Sequence, residues 1–195
     1  MQNYNISTAE TPYGLVGFSV DDDPIGVSLD KYGEWAGCEI ALLRQLIRPN
    51  DVVLDIGSNI GTHTLAFSIF VGRGGSVHSF EPQKLIFRIL SKNIIQNSAQ
   101  NVVLHNCGVG SEARQMYVNT TPPGVKVNTG AQHLMAESGG EQSEQVAVVA
   151  IDSLRLQNCD FVKIDAEGME VDVILGMKTT IRQSHPILFV ECNSV

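Results

Sequence analysis

The chain has 195 residues, of which 43% are hydrophobic, and its 13 basic and 21 acidic side chains give a formal net charge of −8. This length suits one domain, residues 1–195, that buries its own core without disulfides or metals. The acidic balance without a Lys/Arg cluster argues against nucleic acid as a main partner, and no apolar run reaches the ~20 residues that span a bilayer, so no membrane partner is expected.

The cysteines and the N-terminus indicate a reducing compartment. Four cysteines are scattered without a C-x-x-C pair, which favours free thiols over a zinc site. The chain does not start with a basic stretch followed by an apolar run, so no secretory signal is predicted. We therefore expect a cytoplasmic protein.

Residues 1–33 are predicted to form an N-terminal extension. They are polar and irregular apart from the apolar stretch 15–18, which predicts an edge hairpin. The acidic run 21–23 predicts a solvated turn. Residues 34–47 carry apolar side chains at three- and four-residue spacing, which predicts a helix that ends before Pro49.

Strands alternating with helices follow, and this order predicts an α/β fold with a mostly parallel, doubly wound sheet. The predicted strands cover residues 52–56, 76–80, 102–105, 161–165 and 187–191. The predicted helices cover residues 64–71, 85–94 and 167–182, the last with Val171, Ile174 and Leu175 facing inward. Continuous apolar runs such as 52–56 are typical of strands covered on both faces.

Residues 111–145 interrupt this alternation. They are rich in Gly, Ser, Thr, Gln and Glu, and strand-like stretches at 116–118 and 146–149 flank the part between them. A structureless loop of this length is unusual within a compact domain. We predict a flexible insert or flap that shapes the substrate site.

The strongest local motif is DIGSNIG at residues 55–61, at the end of the first predicted central strand. Open α/β sheets bind nucleotides there, and glycines let the backbone approach a ligand closely. A dinucleotide fingerprint needs a third glycine where this chain has Thr62. Asp55 would repel a pyrophosphate but suits the ammonium end of a methionine moiety. The motif therefore favours S-adenosylmethionine over NAD, with a tight structural turn as the alternative.

Glu81 ends the next predicted strand, about 20 residues after Gly61. An acid at this position accepts hydrogen bonds from both hydroxyls of a ribose. The alternative is a solvated glutamate at a strand end. Together with the glycine loop, Glu81 predicts a nucleoside site.

A third cluster reads KIDAEGME at residues 163–170. Lys163 and Asp165 share one strand face because side chains alternate, and Glu167 and Glu170 are predicted in the first turn of the next helix. Helix-start acids that complement the macrodipole are one explanation. Crowded carboxylates at a ligand-binding edge also require a positive partner, which a sulfonium, a metal ion or Lys163 would supply.

With these motifs in order, the sequence resembles the FkbM family of methyltransferases from about residue 23 to residue 193. The resemblance rests on Gly33-Glu34-Trp35 with Glu39, on residues 51–61, 80–82, 93–97, 149–154 and 161–170, and on residues 186–191. It implies a Rossmann-like class I methyltransferase fold, S-adenosylmethionine as donor, and O-methylation of a small-molecule acceptor such as a sugar or secondary metabolite.

The resemblance also implies roles for individual residues. The expected cofactor-binding residues are Asp55, Gly57, Ser58, Asn59 and Gly61 at the methionine end, Glu81 at the ribose, and Asn106 and Cys107 near the adenine. The expected residues of the methyl-transfer site are Asp165, Glu167 and Glu191. The family fold continues beyond this strand, so the resemblance implies a sheet that lacks its final strand pair, or a homo-oligomer that supplies it.

In-line methyl transfer requires a base for the acceptor hydroxyl. Asp165 is the first choice, Glu167 and Glu191 are alternatives, and His63 and His105 are expected to be structural. No metal is predicted, although Asp165, Glu191 and Asn193 offer the oxygen ligands that Mg²⁺ prefers. Two rival functions remain: an NAD-dependent oxidoreductase, opposed by the glycine spacing, and a noncatalytic protein derived from a methyltransferase.

Overall fold

A five-stranded parallel sheet forms the centre of the computed structural model, which describes residues 4–191. Its strands are β3 (Val52–Ile56), β4 (Ser76–Phe80), β5 (Val102–His105), β9 (Phe161–Ile164) and β10 (Ile187–Val190), in the order β10-β9-β3-β4-β5. All four neighbouring pairs are parallel. From β3 the chain adds β4 and β5 on one side of the sheet, and it then adds β9 and β10 on the other side of β3. A binding crevice is expected between β3 and β9, where this change of direction occurs. The predicted α/β class is confirmed.

Helices cover one face of this sheet. They are α2 (Gly37–Leu43), α3 (Thr62–Val71) and α4 (Lys84–Gln96). Nine of the ten residues of α3 are buried, as expected for a helix that is apolar on all sides. Its Phe67 packs with Leu43 of α2 and with Phe161 of the sheet. The predicted helix 34–47 is therefore shorter than expected but lies where it supports the central strands.

The opposite face packs against a second, three-stranded sheet. Its strands are β6 (Gly108–Val109), β7 (Arg114–Asn119) and β8 (Ser143–Val149), in the order β6-β8-β7. Leu54 and Val162 of the central sheet share one apolar cluster with Val148 of β8. The strand-like stretches predicted beside the insert lie within β7 and β8. The predicted flexibility of the insert stays a prediction.

The N-terminal residues form a hairpin and a helix. The hairpin joins β1 (Ile6–Thr11) to β2 (Gly14–Ser19), as predicted, whereas α1 (Ile25–Tyr32) was not predicted. The run 21–23 forms the predicted turn and Asp23 is exposed, but the prediction that it is solvated is wrong at Asp22, which is only 2% exposed. The amide and hydroxyl of Thr129 donate to its two carboxylate oxygens at 3.2 and 2.8 Å. Its partner is more than a hundred residues away, which no local pattern reveals.

The helix predicted over residues 167–182 is also wrong. The segment contains α5 (Glu170–Leu175) and α6 (Lys178–Ser184). Glu167 has a φ of 43° and belongs to the turn before α5, so it is not in a helical first turn. Gly176 separates the helices where a Cβ atom would lie 1.9 Å from the Gly110 carbonyl oxygen. The start of α5 at Glu170 turns Val173 inward and leaves Val171 72% exposed.

Among residues 4–191, no helix combines the length and the apolar character needed to cross a membrane. The predicted absence of a final strand pair stays a prediction, because the sheet is described only up to residue 191.

Candidate active site

A cavity of about 260 Å³ opens at the carboxyl ends of β3, β4 and β9. The residues predicted as site residues that line it are Gly57, Ser58, Asn59, Glu81, Cys107, Asp165, Glu167 and Glu191. Three others, Asp55, Gly61 and Asn106, do not line it. The cavity therefore gathers residues from three separate motifs of the sequence.

The loop after β3 is held close to the neighbouring strands. Gly57 has a φ of 79°, and a Cβ atom there would lie 1.8 Å from the Asp165 carbonyl oxygen. Both the conformation and the contact thus require glycine. The Ser58 hydroxyl donates to the Phe80 carbonyl at 3.1 Å, and Ser79 donates to Ser58 at 2.7 Å. These bonds fix the loop between β3, β4 and β9.

Glu81 follows β4 and is 3% exposed. Its Oε2 accepts from the Asn59 amide at 3.1 Å, and its Oε1 accepts from the Gln83 amide at 2.8 Å. Burial raises the pKa of Glu81 to about 7, against the lowering effect of these two amides. Asn106 donates its side-chain amide to the Glu81 carbonyl at 2.9 Å, so it supports Glu81 without lining the cavity.

Asp55 is fully buried beneath the cavity. The Thr64 hydroxyl donates to its Oδ2 at 2.6 Å, and Lys163 is its register partner on β9. Lys163 is 2% exposed and donates to Asp165 Oδ2 at 3.0 Å. Burial alone would lower the pKa of Lys163, but Asp55, Asp165 and Glu39 together raise it. Lys163 thus supplies a positive partner for Asp165.

Glu39 and His63 are cavity residues to which the sequence patterns gave no functional role. Glu39 lies on α2 and His63 lies in the first turn of α3, and their Oε1 and Nε2 atoms are 2.9 Å apart. The contact with His63 lowers the pKa of Glu39, against the effect of burial, and Lys163 adds to the lowering. Their positions in the sequence could have identified them as site candidates. Glu39 precedes the core residue Ile40, and His63 closely follows the glycine loop.

Glu191 and Glu167 complete the acidic rim of the cavity. The Glu191 amide donates to the Ile164 carbonyl at 2.9 Å, which anchors the residue beside β9. Burial, Asp165, Glu39 and Glu167 raise the pKa of Glu191, and Lys163 opposes them. The carbonyl of Glu167 accepts from His133 Nδ1 at 2.6 Å.

Residues 127–134, called the strap below, form the roof. Asn128, Gly130, Gln132 and Leu134 of the strap line the cavity. The strap is bound to the N-terminal segment through Asp22 and Thr129, and the Gln83 side chain donates to the Thr129 carbonyl at 2.9 Å. Part of the predicted insert therefore encloses the site through defined contacts.

Within residues 4–191, no group of three His, Cys, Asp or Glu side chains is arranged to hold a metal ion. The magnesium alternative also involves Asn193, which lies outside the described residues.

Comparisons with known proteins find related methyltransferases. Hexuronic acid methyltransferase AglP of Haloferax volcanii is 29% identical over 160 residues, covering 80% of this chain and 61% of that protein. The 31-O-demethyl-FK506 methyltransferase FkbM of Streptomyces tacrolimicus is 39% identical over 67 residues, or 34% of this chain and 25% of that protein. The chain thus spans less than two thirds of either relative.

A solved FkbM methyltransferase from Methylobacillus flagellatus superposes with a TM-score of 0.53 at 20% identity, covering 78% of this chain and 40% of that one. This likeness shows a shared Rossmann-like class I fold. The family model for the methyltransferase FkbM domain matches residues 55–195, which include the glycine loop, Glu81 and the rim acids. The chain therefore belongs to the FkbM family of methyltransferase domains.

Proposed function

We propose that the chain uses S-adenosylmethionine to methylate a hydroxyl group of a sugar or another small metabolite. The observation that carries the proposal is the buried Glu81 carboxylate, which lines the cavity beside the glycine loop. A carboxylate in this place suits the two hydroxyls of a ribose. The names of the two relatives, a hexuronic acid methyltransferase and an O-demethyl-FK506 methyltransferase, support the reaction class.

The charge of the cavity favours this cofactor over NAD. Glu39, Asp165, Glu167 and Glu191 line it together with Glu81. A pyrophosphate placed among these carboxylates would meet like charges, which disfavours binding. A sulfonium and an ammonium group would meet opposite charges.

The cofactor-binding residues divide into those that touch the ligand and those that support it. Gly57, Ser58 and Asn59 line the cavity and are assigned to direct contact, with Cys107 beside the adenine. Asp55 and Asn106 act through other groups, because Asp55 binds Thr64 and Asn106 binds the Glu81 carbonyl. Gly61 precedes α3 with a φ of 92° and sets the direction of that helix.

The apolar wall fits an adenine ring. Val109 and Leu134 line the cavity beside Pro82 and Cys107, and ligand sites typically combine such apolar surface with a few polar groups. Burial raises the pKa of the Cys107 thiol to about 11, so the residue stays a neutral thiol at physiological pH.

S-adenosylmethionine, when bound, supplies an electrophilic methyl group on its sulfonium. The rim acids of this chain would orient the acceptor hydroxyl and take its proton. Of the three, Glu191 has a pKa raised chiefly by burial and by Asp165, which suits a general base. Asp165 has one oxygen bound to Lys163 and is assigned to orienting the acceptor, with Glu167 beside it.

A calorimetric titration with S-adenosylhomocysteine, with NADH as the comparison ligand, tests the cofactor. We expect micromolar binding of S-adenosylhomocysteine, no binding of NADH, and at least tenfold weaker binding in Glu81→Gln. Glu112→Gln, which changes an exposed acid, is the matched control. Tight NADH binding without a response to S-adenosylhomocysteine would establish an oxidoreductase instead.

The reaction is tested separately with S-adenosylmethionine carrying a labelled methyl group and a panel of neutral hexoses and hexuronic acids. Label transfer that is lost in Glu191→Gln supports catalysis at the rim. Cofactor binding without transfer to any acceptor would favour the noncatalytic alternative.

A further inference from the structure

The cavity has two chemically different ends. Glu81, Pro82 and Cys107 lie on the β4 side of β3, and Lys163 and Asp165 lie on the β9 side. Two strand spacings separate these sides, which is about 10 Å. If Glu81 holds the ribose, as in the proposed function on which this inference rests, the amino-acid end of the cofactor points toward β9.

The β9 end needs groups that recognise both charges of an amino acid. The sequence favoured Asp55 for the ammonium group, but Asp55 is fully buried and does not line the cavity. Asp165 lines the cavity but already accepts from Lys163 at 3.0 Å. Asp55 is thus out of direct reach of the ammonium group, and one oxygen of Asp165 is already engaged.

Glu39 and His63 form a buried pair at this end. Glu39 Oε1 and His63 Nε2 are both buried atoms. They lie 2.9 Å apart as an ion pair, so each of the two atoms has the other as its polar partner. The His63 side chain is 10% exposed and that of Glu39 is 30% exposed, and both residues line the cavity. The pair therefore brings an acidic and an imidazole side chain together in the cavity lining, where the two charged groups of an amino acid would find complementary partners.

The start of α3 adds favourable partial charge. Thr62 and His63 lie in its first turn and line the cavity. Amides of a first helical turn have no acceptor within the helix, and the helix dipole there favours an anion. A carboxylate beside His63 would meet an N–H donor and the start of α3, and an ammonium beside Glu39 would meet an opposite charge.

We infer that Glu39 and His63 form the subsite for the amino-acid end of S-adenosylmethionine. Glu39 accepts from the ammonium group, and His63, with the first turn of α3, donates to the carboxylate. Lys163 donates to Asp165 and is the register partner of Asp55, so it positions the acids of this end.

The test compares two ligands that differ at this end. S-adenosylhomocysteine carries the amino acid, whereas 5′-methylthioadenosine has the same ribose and adenine without it. Calorimetry measures both ligands on the wild-type chain, Glu39→Gln and His63→Gln. Glu34→Gln is the matched control, since Glu34 is exposed and does not line the cavity.

We expect Glu39→Gln and His63→Gln to weaken S-adenosylhomocysteine ten- to a hundredfold and to change 5′-methylthioadenosine less than twofold. Equal weakening of both ligands would mean that the two residues only shape the cavity, and would overturn the inference. Equal affinity of the wild-type chain for both ligands would overturn it too. Failure of the wild-type chain to bind either ligand would instead refute the proposed cofactor, and this subsite with it.

Discussion

The two ends of the cavity obtain their chemistry in different ways. At the β4 end, one carboxylate, Glu81, is held by the amides of Asn59 and Gln83. At the β9 end, Glu39, His63, Lys163, Asp165 and Glu191 come from α2, α3, β9 and the residues that follow β9 and β10. The first end depends on local backbone geometry, and the second on charges that neutralise one another across the fold. Changes at the two ends should therefore have different consequences.

The largest effect is expected from Lys163→Met. This change leaves Asp55 and Asp165 without the cation that lies between them. Removing one partner of a buried pair costs about 3–5 kcal/mol because the other charge stays buried. Urea denaturation monitored by circular dichroism measures this loss.

Lys92→Met is the control for that change, since Lys92 is an exposed residue of α4. This control should change the free energy of unfolding of the protein by less than about 0.5 kcal/mol. If Lys163→Met is equally mild, the charges of the β9 end do not depend on one another, and the contrast between the two ends is lost.

The next effect concerns pH and the β4 end. Burial raises the pKa of Glu81 to about 7, so the carboxyl becomes neutral as the pH falls below 7. The ionised form is the better acceptor for two ribose hydroxyls, so affinity for S-adenosylhomocysteine should fall by up to about tenfold per pH unit below 7 and level off above it. Calorimetry between about pH 5.5 and about pH 8.5, roughly the range around that pKa, measures this dependence.

The same slope is expected for 5′-methylthioadenosine, because both ligands carry the ribose. Glu81→Gln should flatten the dependence for both. A slope that persists in Glu81→Gln would assign the titration to another group and contradict the role of Glu81.

The sequence predicted the β4 end better than the β9 end. The strands β3, β4 and β5 lie where their apolar runs predict, and the spacing from Gly61 to Glu81 is a local property of one strand-helix-strand unit. Glu39 and His63 are 24 positions apart, and their contact exists only after α2 packs against α3. The periodicity of apolar residues identifies the helices and strands, but it does not reveal which of their polar side chains meet in the folded protein.

The errors in the predicted fold have the same origin. Asp22 is a polar residue in an acidic run, and only Thr129 of the distant strap explains its burial. The helix predicted over 167–182 divides at Gly176 because Gly110 packs against it. In both places a tertiary contact overrides the local pattern.

A smaller effect is expected from Asp22→Ala, which removes a contact that holds the strap over both ends of the cavity. The change leaves the buried Thr129 amide without its acceptor, at a cost of about 1–3 kcal/mol. Asp23→Ala, at an exposed neighbour, is the control. Faster hydrogen exchange of residues 127–134 should accompany the loss.

Asp22→Ala should weaken S-adenosylhomocysteine and 5′-methylthioadenosine to the same degree, unlike Glu39→Gln. Weakening of only one ligand would show that the strap belongs to one end of the cavity.

The smallest effect concerns Cys107 at the apolar wall. Burial raises the pKa of its thiol to about 11, so little thiolate is present at pH ~8. Alkylation by iodoacetamide should be at least about tenfold slower at Cys107 than at the exposed Cys38, and S-adenosylhomocysteine should slow it further. Peptide mass spectrometry measures both rates, and equal labelling would contradict the burial of this wall.

The most direct test of the central claim is a crystal structure of the chain with S-adenosylhomocysteine. The account predicts both ribose hydroxyls within hydrogen-bond distance of Glu81, the adenine against Cys107 and Val109, and the amino-acid end between Glu39 and His63. A ligand bound in the opposite direction, or bound outside this cavity, would contradict it.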